Sequence, residues 1–250
     1  MSWLIEKDLW LKIFDNIKQR LDLTFELDQV STDILSSLLS KMDNTISLDL
    51  LRSNIRGERV LVFGCGPNLQ NDLKTSIKRN YIKKYPIIVA DGASTLFAKL
   101  NIIPRAIVTD LDGDFSHIQK LNQQGSIAVV HAHGDNINDV KNLVPKLKGP
   151  TIGSTQVEPR PHVYNFGGFT DGDRALFLAY VLGIRDVILG GMKFDGPIGK
   201  FSLLRKDKKK DIRIKLMKLE VAKELIKILI GLGMNIKCLS PVDIDEIKGI

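Results

Sequence analysis

The chain has 250 residues, 44% of them hydrophobic and 26% charged, with a formal net charge of +7. That length accommodates one substantial core plus a small accessory region, and with an ordinary charged fraction disorder is not the expectation. No apolar run reaches the roughly 18 residues needed to span a bilayer, the first ten residues lack a signal-peptide pattern, and two cysteines give no disulfide framework, so a cytoplasmic protein is expected.

Residues 1–56 read as a helical region. Trp3, Ile5, Leu9, Trp10, Ile13, Phe14 and Ile17 recur at helical spacing with charges between them. No chemistry is visible there; the segment is expected to cover an edge or face of the main domain, or to form a homo-oligomer interface.

From residue 57 to 250 the pattern changes to that of a Rossmann-like catalytic domain. Short β-branched runs at 59–63, 86–90, 105–109, 126–131, 162–166, 186–190 and 235–239 read as strands. Amphipathic stretches at 69–80, 93–100, 135–144 and 172–182 lie between them, and a long helix is expected over 211–230. Strands alternating with helices predict an α/β fold, a mainly parallel sheet covered by helices on both faces. Residues 200–218 carry nine Lys/Arg against two Asp, which accounts for the whole net charge. The rest of the chain is neutral overall, so a nucleic acid is not the expected partner. A local basic segment suits a polyphosphate ligand, or a solvated loop.

The polar residues gather where strands end. GCGPN follows the first strand, Asp91-Gly92 the second, and Asp110, Asp112 and Asp114 the third. His131, His133 and Asp135 end the fourth, Gly167, Gly168, Asp171 and Asp173 follow the next, and Gly190, Gly191 and Asp195 the one after. In a parallel sheet all of these emerge at the carboxyl edge, where open α/β folds bind ligands.

TDLDGDF (109–115) places three carboxylates within five residues. In an extended segment Asp110 and Asp112 face the same way, a pattern suited to Mg²⁺ completed by phosphate oxygens; an exposed acidic turn is the bland alternative. VFGCGPN (62–68) is a glycine turn ahead of a helix, able to approach an anion or to serve as a tight turn alone. In FTDGDRALF, Thr170 reads as an N-cap, and helix capping competes with function for Asp171 and Asp173. In HAHGDN, hydrogen bonding of His131, His133 and Asp135 to a substrate is preferred to a transition-metal site, with a buried structural histidine as the competitor.

Taken in order, FGCGPN, ADGAS, VTDLDGD, HAHGDN, GGFTDGDRA and LGGMKFDGPIGKFS resemble the archaeal 6-hydroxymethyl-7,8-dihydropterin diphosphokinase family over residues 57–240. That family is related in fold to the thiamine pyrophosphokinases, whose usual second glycine is replaced here by Ala93. The resemblance implies transfer of diphosphate from ATP to a pterin hydroxymethyl group with release of AMP, with Mg²⁺ on Asp110 and Asp112 and Asp114 or Asp173 assisting. It implies that Asp91 orients the acceptor or binds metal through water, and that Gly64, Gly66 and Asn68 lie against the nucleotide. A basic flap of Lys200, Lys208, Lys209 and Arg213, with the Ser202 hydroxyl, is expected to close over the triphosphate. A metal-dependent nucleotide-sugar glycosyltransferase is the main rival, and a thiamine diphosphokinase-like enzyme is the other alternative. A methyltransferase is disfavoured by Val62 and Asn68.

Overall fold

The computed structural model describes residues 2–21, 26–194, 199–200 and 212–250. Nine strands form one parallel sheet: β1 (Arg59–Phe63), β2 (Ile87–Ala90), β3 (Ala106–Thr109), β4 (Ile127–Ala132), β5 (Thr151–Thr155), β6 (Val163–Tyr164), β7 (Asp186–Gly190), β8 (Asn235–Cys238) and β9 (Lys248–Gly249). Their spatial order is β6-β5-β4-β3-β2-β1-β7-β8-β9. The chain walks outward from β1 to β6, then returns to lay β7 on the other side of β1, so the order reverses between β1 and β7.

The helices are α1 (Lys7–Leu21), α2 (Asp28–Leu39), α3 (Leu48–Asn54), α4 (Leu69–Lys78), α5 (Tyr81–Lys84), α6 (Asp91–Lys99), α7 (Phe115–Gln123), α8 (Ile137–Leu143), α9 (Asp171–Val181) and α10 (Ile212–Gly231). They divide between the two faces because strand side chains alternate. Val60, Val62, Ile88, Val108 and Val129 enter one core with α1, α9 and α10. Leu61, Phe63, Val89, Ile107 and Val130 enter the other with α2, α4, α6 and α7. A central strand buried on both sides therefore reads as a continuous apolar run. Among the described residues, no helix is long and apolar enough to cross a membrane.

The N-terminal helices pack into both cores. Trp10 of α1 is fully buried, stacks on Phe14 at 5.9 Å and meets Phe177 of α9 edge-on at 6.1 Å. Its Nε1–H donates to the Gln156 carbonyl at 2.9 Å, so the one polar atom of the ring is satisfied. Helix α2 lies over β5 with a polar underside: Asp28, Ser31, Thr32 and Ser36 are its buried residues, alongside Leu35 and Leu39. Thr32 bonds the Asp28 carbonyl at 2.8 Å and the Thr155 hydroxyl at 2.7 Å.

Several expectations change. Strands β5 and β9 have no counterpart among the expected strands. The strand expected at 162–166 shrinks to two residues, with His162 at a φ of 63° immediately before it. Helix α7 also went unread; Asp114 starts it.

Candidate active site

Three carboxylates meet at the carboxyl edge. Asp91 opens α6 after β2, Asp110 follows β3, and Asp171 opens α9. One oxygen from each lies within 4.8 Å of the others. Helix α9 runs back across the face of the central strands from its start at this edge, so its first turn is delivered above β2 and β3. That is how residues 80 positions apart become neighbours.

The loop after β3 is held in a strained shape. Leu111 is fully buried and sits at a φ of 67°, a conformation that costs a non-glycine residue about 1–3 kcal/mol. The Thr109 hydroxyl accepts the Leu111 N–H at 2.8 Å and donates to Asp91 Oδ2. Gly113 then passes so close to Asp91 that a Cβ there would lie 1.6 Å from Oδ1. The Asp112 N–H donates to Asp110 Oδ1 at 3.1 Å.

The three acids differ in charge state. Burial, then the charges of Asp112 and Asp110, push the Asp91 carboxyl up to about 8 against the Thr109 hydrogen bond. Burial, then Asp110 and Asp91, raise Asp171 well above the usual carboxylate range. For Asp110, burial is outweighed by the hydrogen bond from His133 and by the Arg174 guanidinium, which hold it well below that range. His133 Nε2 stands 3.5 Å from Asp110 Oδ2. Its Nδ1 accepts the Asp135 N–H at 3.3 Å, which leaves the ring proton on Nε2, facing Asp110.

A buried scaffold surrounds the trio. Asn136 donates to the carbonyls of Asp110 at 2.8 Å and His131 at 2.7 Å, tying the ends of β3 and β4 together. Arg174 is 6% exposed, donates to Gln156 Oε1 at 3.1 Å and lies 3.5 Å from Asp171 Oδ1. Gln156 donates to Asp28 Oδ2 at 2.6 Å, and Asp28 Oδ1 accepts the Gly134 N–H at 2.7 Å. Burial raises the Asp28 carboxyl above its usual range despite these donors.

The trio fits a hard divalent cation. Asp91 Oδ1 and Asp171 Oδ1 are buried and no side chain hydrogen-bonds either, the Gly113 backbone lying against the first and Arg174 standing 3.5 Å from the second. Carboxylates crowded in this way are costly unless protonated or bridged by a cation, and oxygen-only donors match Mg²⁺.

The grouping differs from the sequence run. Asp110 joins Asp91 and Asp171 rather than Asp112 and Asp114. Asp114 caps α7, accepting the Ser116 N–H at 3.1 Å and its hydroxyl at 2.6 Å and pairing with His117 at 2.9 Å. Asp173 is buried beneath its own helix start, accepting the Thr170 N–H at 2.9 Å together with the Thr170 hydroxyl and the Phe169 N–H. Capping thus engages both of its oxygens. His131 is buried against Ser154 at 3.1 Å, and burial followed by the charge of Arg174 depresses its pKa well below the usual value. His133 and the exposed Asp135 stand at the rim.

The glycine turn after β1 sits where the strand order reverses, the usual ligand crevice of such sheets. Its Gly64 and Gly66 N–H groups are engaged by the Gly190 and Gly191 carbonyls at 3.0 and 2.6 Å. Asn68 donates to Asp72 at 2.9 Å, and Asp72 also accepts the Gly191 N–H at 2.8 Å. The turn is therefore stitched to the loop after β7. Lys200 donates to Gln70 at 3.0 Å near this crevice, whereas Ser202, Lys208 and Lys209 lie outside the described residues, as does Asp195.

The family model described as 6-hydroxymethylpterin diphosphokinase MptE-like matches residues 36–198. The 6-hydroxymethyl-7,8-dihydropterin pyrophosphokinase of Methanocaldococcus jannaschii is 45% identical over 232 residues, covering 88% of this chain and 94% of the relative. The chain belongs to the MptE-like family. The protein of the same name from Pyrococcus furiosus is 37% identical over 229 residues, covering 91% of this chain and 94% of its own. A Maf glycosyltransferase structure from Magnetospirillum magneticum matches with a TM-score of 0.56 at 12% identity, over 91% of this chain and 39% of that one. This second likeness speaks to the fold alone. The span matched by the MptE-like model contains the whole acidic trio, while Asp28 precedes it.

Sequence reasoning missed Arg174, Gln156, Asn136 and Asp28. Arg174 was within sight, since an arginine three residues after an acidic helix start can fold back on it. Asp28 gave no signal, because its partners lie more than a hundred residues away.

Proposed function

We propose that this chain transfers the diphosphate of ATP to the hydroxymethyl oxygen of 6-hydroxymethyl-7,8-dihydropterin, releasing AMP. The observation that carries the reading is the trio of Asp91, Asp110 and Asp171, two of them with buried oxygens that no side chain hydrogen-bonds, in a chain of the MptE-like family. Those three carboxylates would hold Mg²⁺, which when bound supplies charge neutralisation to the diphosphate being moved. Reactions of this class depend on alignment and electrostatics rather than a covalent enzyme intermediate.

The chain's own groups then have distinct tasks. His133 keeps Asp110 ionised through Nε2–H. Arg174 adds fixed positive charge behind Asp171, where negative charge on the transferred group accumulates. The rim residues His133 and Asp135 offer hydrogen bonds to the acceptor, with His131 and Ser154 packed behind them. The nucleotide lies toward the crevice between β1 and β7, with Gly64, Gly66 and Asn68 shaping its floor and Lys200 contributing charge. Residues 57–250 carry this chemistry, and residues 1–56 brace it.

The decisive assay mixes the protein with ATP, Mg²⁺ and 6-hydroxymethyl-7,8-dihydropterin and identifies the nucleotide product. AMP formed only when the pterin is present is the expected result. ADP, or no turnover, removes the proposal.

A further inference from the structure

The Asp28–Gln156–Arg174 chain runs in one chemical direction only. Asp28 is an acceptor when ionised, so Gln156 must turn its amide NH₂ toward it, as the 2.6 Å contact records. That leaves Gln156 Oε1 for Arg174, which can only donate, at 3.1 Å. The guanidinium is thereby held by Gln156 and stands 3.5 Å from Asp171, beyond a good hydrogen bond. The Trp10 indole anchors Gln156 from the other side through its carbonyl. The second oxygen of Asp28 fixes Gly134, next to His133, the partner of Asp110. One carboxylate of the N-terminal helices thus reaches two members of the trio by two routes.

We propose that Asp28 is a positioning residue for the acidic trio: it sets the polarity of the Gln156 amide and so restrains Arg174 from closing on Asp171, leaving that oxygen to a divalent cation. The inference rests on the cation reading of the trio given above. Without the restraint, a buried guanidinium beside a carboxylate forms a direct charge-assisted pair and competes with the metal.

Asp28→Asn tests it. The Asn side-chain oxygen still accepts from Gly134, but its NH₂ now faces Gln156. Gln156 must turn over, and it then presents a donor to Arg174. The double variant Asp28→Asn/Gln156→Glu restores an acceptor toward both neighbours and leaves the total charge unchanged. The readout is Mn²⁺ binding by the full chain without nucleotide, followed by electron paramagnetic resonance, with thermal melting measured alongside.

Asp28→Asn is expected to weaken Mn²⁺ by about 10- to 100-fold, the usual range for groups that orient metal ligands. Adding Gln156→Glu is expected to restore it. A merely structural Asp28 would lower the melting temperature and leave Mn²⁺ affinity unchanged, and that result overturns the proposal. So does a double variant no better than the single one, or a wild-type protein that binds no Mn²⁺. Should Asp28→Asn fail to fold, Gln156→Leu removes the same acceptor and must weaken Mn²⁺ likewise; unchanged affinity there also overturns it. Wild-type Mn²⁺ binding without pterin-dependent AMP would sink the proposed reaction and leave this inference standing.

Discussion

Gly113→Ala probes the site through a single methyl group. Gly113 is not among the positive-φ residues, so alanine can adopt its backbone conformation and the effect is steric alone. The added Cβ would lie 1.6 Å from Asp91 Oδ1 and 2.7 Å from its Cγ. A carbon–oxygen contact needs about 3.3 Å, so loop and carboxylate must separate by about 1.7 Å. Asp91 is 2% exposed and its Oδ2 is tied to Thr109, so it cannot swing freely. Overpacking of this kind costs about 1–3 kcal/mol of stability. A displacement larger than 1 Å at a reacting centre costs about 100-fold or more in turnover. Urea unfolding gives the first quantity, and AMP release under saturating ATP, Mg²⁺ and pterin gives the second. A Gly113→Ala protein with wild-type turnover would refute the idea that this close approach builds the site.

Two further predictions concern charge. Asp171→Asn removes a buried carboxyl disfavoured by its neighbours, so in chelator near pH 8 it should gain about 0.5–2 kcal/mol. It should also lose about 100-fold or more in activity and no longer be stabilised by Mg²⁺ in thermal melts; a variant that stays active contradicts the assignment. His131 should make the fold acid-sensitive. Its pKa is depressed from 6.5, so below that value the unfolded chain takes up a proton that the folded chain refuses. Stability then falls as pH drops, by at most about 1.4 kcal/mol per pH unit from this group. Urea titrations at several pH values should show a shallower acid limb for His131→Gln, and an unchanged limb would assign the acid loss to other groups.

The sequence by itself determined the layering of this protein. Five of the central strands, β1 to β4 and β7, were legible because a strand buried on both faces must be apolar at consecutive positions. Their polar ends were legible because a parallel sheet exports every strand end to one edge. Asp110 and Asp91 were identifiable for that reason. Strand β5 was not: TIGST carries hydroxyls that look solvent-bound in one dimension, yet Thr155 is met by Thr32, Ser154 by His131 and Thr151 by the Gly149 carbonyl. The glycine turn likewise looked open, yet two of its N–H groups are engaged by the end of β7 and the residue after it, a pairing that only the reversal of strand order creates.

Which acids converge was a tertiary decision. Asp112 and Asp114 are closer to Asp110 along the chain, but Asp114 is drawn into capping α7, and α9 brings Asp171 across 61 positions of sequence to Asp110. Local patterns record what each residue needs from its immediate neighbours along the backbone. Electrostatic repulsion among Asp91, Asp110 and Asp171, and the Asp28 brace beneath them, come into being only when the sheet closes their distances to a few ångströms, where unscreened charges act strongly.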